Sequence, residues 1–298
     1  MAITKELIDG LIVTIQNLYL ADDIPWMVGY SGGKDSTAAV QLVWMALEKL
    51  PKKDRKKPIH IMNTDTLVES PVVSKWVEKS LESMRIEAEK IDLPIIPERL
   101  TPDYNNTFWV NLIGRGYPFP RMKYRWCTDR LKIQPVNNFI KNKIAEHGEI
   151  ILVLGTRKQE SLRRNRTMTN LEKKRVRELL SPNPTLANEL VFSPMEDWTD
   201  DDVWAFLMQY KNPWKQGYLY PILASIPMGI VAGCICYGLN IFVKSNFICL
   251  LVSIPIAAVV YLFTYLIISR PSENELRRIP GGSYLIRIAE KLPFWQNN

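Results

Sequence analysis

Ser31-Gly32-Gly33-Lys34-Asp35-Ser36 follows the short apolar run Trp26-Met27-Val28-Gly29-Tyr30 and precedes a stretch, 37–50, with helical spacing. An apolar run of that length ending in a glycine turn reads as a buried strand, so the hexapeptide is predicted to join a strand to a helix. Gly32 and Gly33 let the backbone turn sharply and bring amide N–H groups close to an anion. The following helix aims its positive N-terminal end at the same place. Lys34 adds a full charge, and Ser31 and Ser36 add hydroxyl donors. From Gly29 to Gly33 the spacing is one residue too short for GxxxxGK, and Lys34 is followed by Asp35 rather than Ser or Thr. The loop is therefore not of the Walker A kind.

Working outward, residues 4–20 carry Lys5, Glu6 and Asp9 among apolar positions and predict an amphipathic helix rather than a signal peptide. Ile59-His60-Ile61-Met62-Asn63 predicts a second strand and 72–91 a second long helix. Residues 98–124, with scattered Pro, Gly and Asn, read as an irregular excursion facing substrate. Residues 128–147 are predicted helical, and Ile150-Ile151-Leu152-Val153-Leu154 has the uninterrupted apolar character of a strand buried in a parallel sheet. Strands alternating with helices give an α/β class with a doubly wound parallel sheet, whose site lies at the carboxyl ends of the strands.

Further residues with chemistry fall in the loops after those strands. Asp65, in Asn63-Thr64-Asp65-Thr66, ends the second strand, where an acid contacts ribose, holds Mg²⁺ or caps a helix. Arg125-Trp126-Cys127-Thr128-Asp129-Arg130-Leu131-Lys132 packs cations around Cys127, surroundings that favour a thiolate and would hold phosphate or sulfate; a buried structural cysteine is the alternative. Arg157, in Gly155-Thr156-Arg157-Lys158-Gln159-Glu160-Ser161, follows the apolar strand, with Arg163, Arg164 and Arg166 next. Arginines there either clamp an anion or line a solvated helix face. Thr199 with Asp202 has the form of a capping box, with Trp198 and Trp204 packing that helix on the sheet. The basic run 52–57 reads as a solvated loop.

The segments SGGKDS, NTD, RWCTDR, GTRKQES and PMEDWTDDDVW, in this order over about 1–214, resemble the phosphoadenosine phosphosulfate (PAPS) reductase family of PP-loop ATP pyrophosphatases. The excursion at 98–126 and NTDTLVESP look most like its DndC branch, the sulfurtransferases of bacterial DNA phosphorothioation. The resemblance implies an adenine nucleotide α-hydrolase-like fold that binds ATP with Mg²⁺. Ser31, Gly32, Gly33, Lys34, Asp35, Ser36 and Asp65 would bind the nucleotide. Lys34, Asp35 and Cys127 would serve catalysis, and Arg125, Arg130, Arg157, Arg163 and Arg164 would contact phosphate or substrate. No residue is assigned as a dedicated metal ligand. The implied reaction is cleavage of ATP between the α and β phosphates, adenylation of an oxygen acceptor, release of pyrophosphate and displacement by sulfur. DNA and a cysteine desulfurase or other Dnd-type proteins are the implied partners. A thiol-dependent PAPS reductase and an ATP sulfurylase small subunit are the rival readings. DndC-like chains also carry a cysteine cluster for iron–sulfur, and Cys127 alone cannot hold one.

The four cysteines, Cys127, Cys234, Cys236 and Cys249, form no CxxC pair and no disulfide framework. A formal net charge of +7 suits nucleotide, nucleic acid or an anionic membrane without choosing among them. Composition changes after Trp214: Lys244 is the one charged residue over 218–269. Two apolar runs there are each long enough for a bilayer of roughly 30 Å and predict a two-helix transmembrane hairpin, 218–269, after a junction at 215–217. Cations beyond it, Arg270, Arg277, Arg278, Arg287 and Lys291, predict a basic cytoplasmic tail at 270–298. The ATP domain would then be cytoplasmic and attached to the inner membrane. YPILASIPMGIV and ELRRIPGG resemble the end of Wzx-type polysaccharide flippases, which implies a truncated sulfurtransferase fused to the end of a transporter and opens a reading without turnover.

Overall fold

A computed structural model of the chain describes residues 3–69, 71–121, 124–177, 179–215, 227, 229–237, 252–256 and 259–260. The chain divides into two compact units, Met1–Gln216 and Gly217–Asn298.

In the first unit, strands β1 (Trp26–Gly29), β2 (Ile59–Thr64), β3 (Ile95–Leu100), β4 (Ile150–Val153), β5 (Ser181–Pro182) and β6 (Glu189–Phe192) form one sheet in the order β3-β2-β1-β4-β6-β5. All neighbours are parallel except β5 against β6. The period of two along each strand assigns its side chains to one of two faces. Trp26, Val28, Ile59, Ile61, Ile151, Val153, Leu190 and Phe192 enter the larger core with α1 (Lys5–Leu20), α2 (Lys34–Glu48), α3 (Pro71–Lys90) and α7 (Asp200–Gln209). Met27, Met62, Ile150 and Leu152 enter the smaller core under α5 (Gln134–His147), which supplies Ile140. Helices cover both faces, which explains why β1 and β4 read as unbroken apolar runs.

The chain runs from β1 to β2 and β3 on one side, then crosses to β4 and β6 on the other. The order therefore switches direction between β1 and β4, and the loops leaving their carboxyl ends diverge around a crevice. The hexapeptide follows β1 and the Gly155–Ser161 turn follows β4. A short helix, α4 (Trp126–Thr128), continues through a π-helical turn (Asp129–Ile133) into α5, and α6 (Leu162–Glu172) follows the β4 turn.

The sequence places residues 98–124 outside regular structure, yet β3 already occupies 95–100 as the edge strand. Pro97 is tolerated there because an edge strand can spare one ladder N–H. The basic run at 52–57 is not simply solvated. Lys57 is buried with Nζ 2.8 Å from Asp22 and lies over the Tyr19 ring, and Arg55 donates to the carbonyls of Glu48, Leu50 and Ile91.

The expected transmembrane hairpin is corrected. No helix among the described residues is long and apolar enough to cross a membrane. The attachment to an inner membrane that rested on that hairpin falls with it. The remainder of 218–269 and the basic tail at 270–298 lie outside the described residues.

Candidate nucleotide site

Helix α2 begins at Lys34 with Gly33 as its N-cap, extended (φ −84, ψ 167) and without a side-chain cap hydrogen bond. Its first amides thus keep their donors for another partner. Gly32 turns the chain at φ +76, and a Cβ there would meet Val77 Cγ2 at 2.8 Å. Both features need glycine, the first for its conformation and the second for its size. The turn is closed from inside. Ser36 Oγ accepts the Ser31 N–H at 3.1 Å and lies 3.0 Å from Ser31 Oγ, while donating to the Gly33 carbonyl at 3.1 Å. Asn63, at the end of β2, donates its side-chain amide to the Tyr30 carbonyl at 2.9 Å and ties the turn to the next strand.

The β4 turn meets this loop directly. A Cβ on Gly155 would lie 2.5 Å from the Asp35 carbonyl oxygen and 3.0 Å from the Ser36 nitrogen. Both obstacles are backbone atoms and cannot rotate away. Two residues on, Arg157 is 2% exposed. Its Nε donates to Asp35 Oδ1 at 2.8 Å, its Nη1 to the Trp198 carbonyl at 3.2 Å, and its Nη2 to Asp200 Oδ1. Burial disfavours the Arg157 charge, but hydrogen bonds to Asp200 and Asp35 outweigh it and raise the group above its ordinary value. Lys34 Nζ reaches the same Asp200 Oδ1 at 2.8 Å and Asp35 at 3.4 Å. Hydrogen bonds from Lys34 and then Arg157 hold the Asp200 carboxyl below the usual carboxylate range. The crevice between β1 and β4 is therefore lined by two cations and two carboxylates in direct contact.

The structure thus brings Ser31, Gly32, Gly33, Lys34, Asp35, Ser36 and Arg157 together. It adds Asp200, whose stretch the sequence reading treats as helix capping alone. The capping box is present: Asp202 accepts the Thr199 N–H at 2.8 Å, and Thr199 Oγ1 accepts the Asp202 N–H at 3.1 Å. The available signal for Asp200 was its position in an acidic run opening the helix that follows the last parallel strand.

The other candidates stand elsewhere. Asp65 is buried, with Oδ2 2.5 Å from Arg99 Nη2 and Oδ1 accepting the Leu67 N–H at 2.9 Å, so both oxygens are engaged by the protein itself. Arg130 donates to Asn106 Oδ1 at 3.0 Å and Tyr117 Oη at 2.8 Å and holds the excursion together. Arg125 and Cys127 line a separate open cavity of about 390 Å³ with Pro120 and Arg121. Arg163 and Arg164 are exposed on α6, with Arg164 3.3 Å from Glu160.

Mg²⁺ arriving with nucleotide phosphates needs only one or two protein carboxylates. Asp35 fits that need, since among the described residues its Oδ2 has only the 3.4 Å contact with Lys34. An iron–sulfur cluster does not fit. Cys127 is the one cysteine of the first unit, and no group of three His, Cys, Asp or Glu suited to a metal occurs among the described residues.

Fold and loop together define an α/β domain of nucleotide-binding type, with a glycine turn and an uncapped helix N-terminus at its switch point. The family profile of the phosphoadenosine phosphosulfate reductase domain matches residues 25–218, and the chain belongs to that family. The uncharacterized protein MJ0066 of Methanocaldococcus jannaschii is 27% identical over 204 residues. That alignment covers 68% of this chain and 35% of MJ0066, so the chain spans about a third of its relative's length. Among solved structures, the PAPS reductase from Candida auris in a phosphate complex is 13% identical, covers 70% of this chain and 88% of its own, and gives a TM-score of 0.38. The U34-tRNA thiolase NcsA from Methanococcus maripaludis, with its [4Fe-4S] cluster, is 15% identical at TM-score 0.39, covering 68% and 63%. Neither likeness is close enough to carry an argument about this chain's chemistry.

Proposed function

We propose that the first unit binds ATP at the Ser31–Ser36 turn and cleaves it between the α and β phosphates to activate an oxygen acceptor for sulfur transfer. The observation that carries this reading is the uncapped N-terminus of α2, placed with Lys34 and Arg157 at the sheet's switch point. The α2 amides, Lys34 and the serine hydroxyls would bind the phosphates, and Asp35 would hold Mg²⁺, which neutralises charge on the departing pyrophosphate. An acceptor oxygen attacks the α phosphorus, the α–β bridging bond breaks, and pyrophosphate carries away the electron pair. A sulfur nucleophile then attacks the activated centre, and AMP leaves with the former acceptor oxygen.

In its finer form, the acceptor is a DNA phosphodiester, as in DNA phosphorothioation, with sulfur supplied by a cysteine desulfurase. The exposed Arg125, Arg163 and Arg164 support a nucleic-acid partner. Family membership favours one second reading, in which PAPS itself is the nucleotide and is reduced.

Incubating the purified chain with Mg–ATP, an oxygen acceptor and sulfide, or with PAPS and a dithiol reductant, separates the two. The first reading expects AMP and pyrophosphate from ATP, falling by about 100-fold or more in Lys34→Ala and Asp35→Ala. Sulfite from PAPS with no attack on ATP would replace it with the second. ATP binding without turnover would leave a nucleotide sensor.

A further inference from the structure

Asp200 places its carboxylate against both cations of the crevice, Lys34 and Arg157. Its Oδ1 sits 2.8 Å from Lys34 Nζ and accepts from Arg157 Nη2. The Nε and Nη1 of Arg157 are already committed to Asp35 and to the Trp198 carbonyl, so Nη2 is the donor that an exchange at Asp200 would release. The Asp200 side chain is itself 68% exposed, whereas Arg157 is 2% exposed. The anion can therefore swing out into solvent while the guanidinium stays. Its helix need not move, because Thr199 and Asp202 fix the first turn of α7 without any contribution from the Asp200 side chain.

We propose that Asp200 is a displaceable internal anion that neutralises Lys34 and Arg157 in the empty site and sets its affinity and selectivity for polyphosphates. This rests on the reading of the turn as an ATP site. A phosphate oxygen replacing the carboxylate exchanges one anion for another, so the two cations are never left unpaired and buried charge is never left uncompensated. The exchange adds a threshold. A ligand enters only if its anionic group outcompetes a tethered carboxylate for two charge-assisted hydrogen bonds. Mg–ATP meets that requirement and a neutral nucleoside does not. The neighbouring Asp201 gives an internal comparison: it is exposed in the same helical turn, and none of its side-chain contacts reaches Lys34 or Arg157 among those described.

Calorimetric titration of the full chain with Mg–ATP, and separately with adenosine, tests this. Asp200→Asn is expected to bind Mg–ATP about fivefold or more tightly than the natural protein, the size expected for one half-exposed ion pair. Asp201→Asn, which removes the same charge from the same turn, should leave the affinity unchanged, and adenosine should not distinguish the proteins. Binding by Asp200→Asn alone would support the proposal more strongly. Equal or weaker ATP binding by Asp200→Asn, with the natural protein binding normally, overturns the proposal and leaves the ATP reading intact. If neither protein binds ATP, the ATP reading fails and the proposal with it.

Discussion

At the scale of residues, Arg157 was legible as a cation at a strand end, apt to clamp an anion. Its partners were not legible, because Asp35 lies 122 positions away in the chain and Asp200 lies 43 away. Only the crossing from β1 to β4 brings those carboxylates to one guanidinium. Arg157→Met removes the charge-assisted hydrogen bonds yet leaves Asp35 and Asp200 partly hydrated. The expected loss is about 2 kcal/mol, seen as a melting midpoint lower by roughly 4–8 °C. Arg157→Lys should recover little of it, since an ammonium cannot reproduce three donors in one plane. A midpoint unchanged in both variants would mean that the network contributes nothing to the fold. Asp65 illustrates the reverse. Its position after β2 suggested a nucleotide ligand, and the salt bridge to Arg99 that occupies it comes from β3, a strand the sequence reading did not find.

At the scale of elements, β1, β2, β4 and the helices between them were readable because both faces of the central strands are buried and their runs are unbroken. The outer strands and β6 beside one of them were not. β3 contains Pro97, β5 is only Ser181–Pro182, and β6 opens with Glu189, a buried carboxylate whose burial pushes its pKa up. None of these shows the apolar pattern of a central strand. The close approach of Gly155 to the α2 backbone gives a sharp expectation. Gly155→Ala forces the β4 turn away from the Ser31–Ser36 loop, costing about 1–3 kcal/mol, and should weaken Mg–ATP binding as well. Loss of stability with unchanged binding would separate the turn from the site.

Helix α1 offers a pH test. Burial pushes the Tyr19 hydroxyl up to about 12, against an ordinary value of 10.0, with its proton donated to the Lys57 carbonyl at 2.8 Å. The folded state therefore holds this proton where the unfolded chain has lost it. Stability is complete below pH 10 and declines between pH 10 and pH 12, by about 2–3 kcal/mol from this group. Denaturant melts of Tyr19→Phe should lack that part of the alkaline decline, and an identical decline in both proteins would rule Tyr19 out as its source.

At the scale of the whole molecule, composition changes after Trp214, and the structure divides the chain between Gln216 and Gly217. The change in composition did not locate a membrane hairpin. A run without charge satisfies the composition of a spanning helix, but composition alone does not fix helix length. Trp214, 1% exposed and 5.8 Å from Trp44 between ring centres, closes the core of the first unit. A chain ending at Gln216 should therefore keep the melting midpoint and Mg–ATP affinity of the full protein. A loss of either would show that the second unit supports the site.

The central claim is that the turn after β1 directs cleavage between the α and β phosphates. Phosphorus NMR of the full chain with Mg–ATP, an oxygen acceptor and sulfide as the sulfur nucleophile reads the bond that breaks. The account predicts AMP and pyrophosphate appearing in equal amounts, and neither in Lys34→Ala. ADP with inorganic phosphate, or the same products from Lys34→Ala, would contradict it.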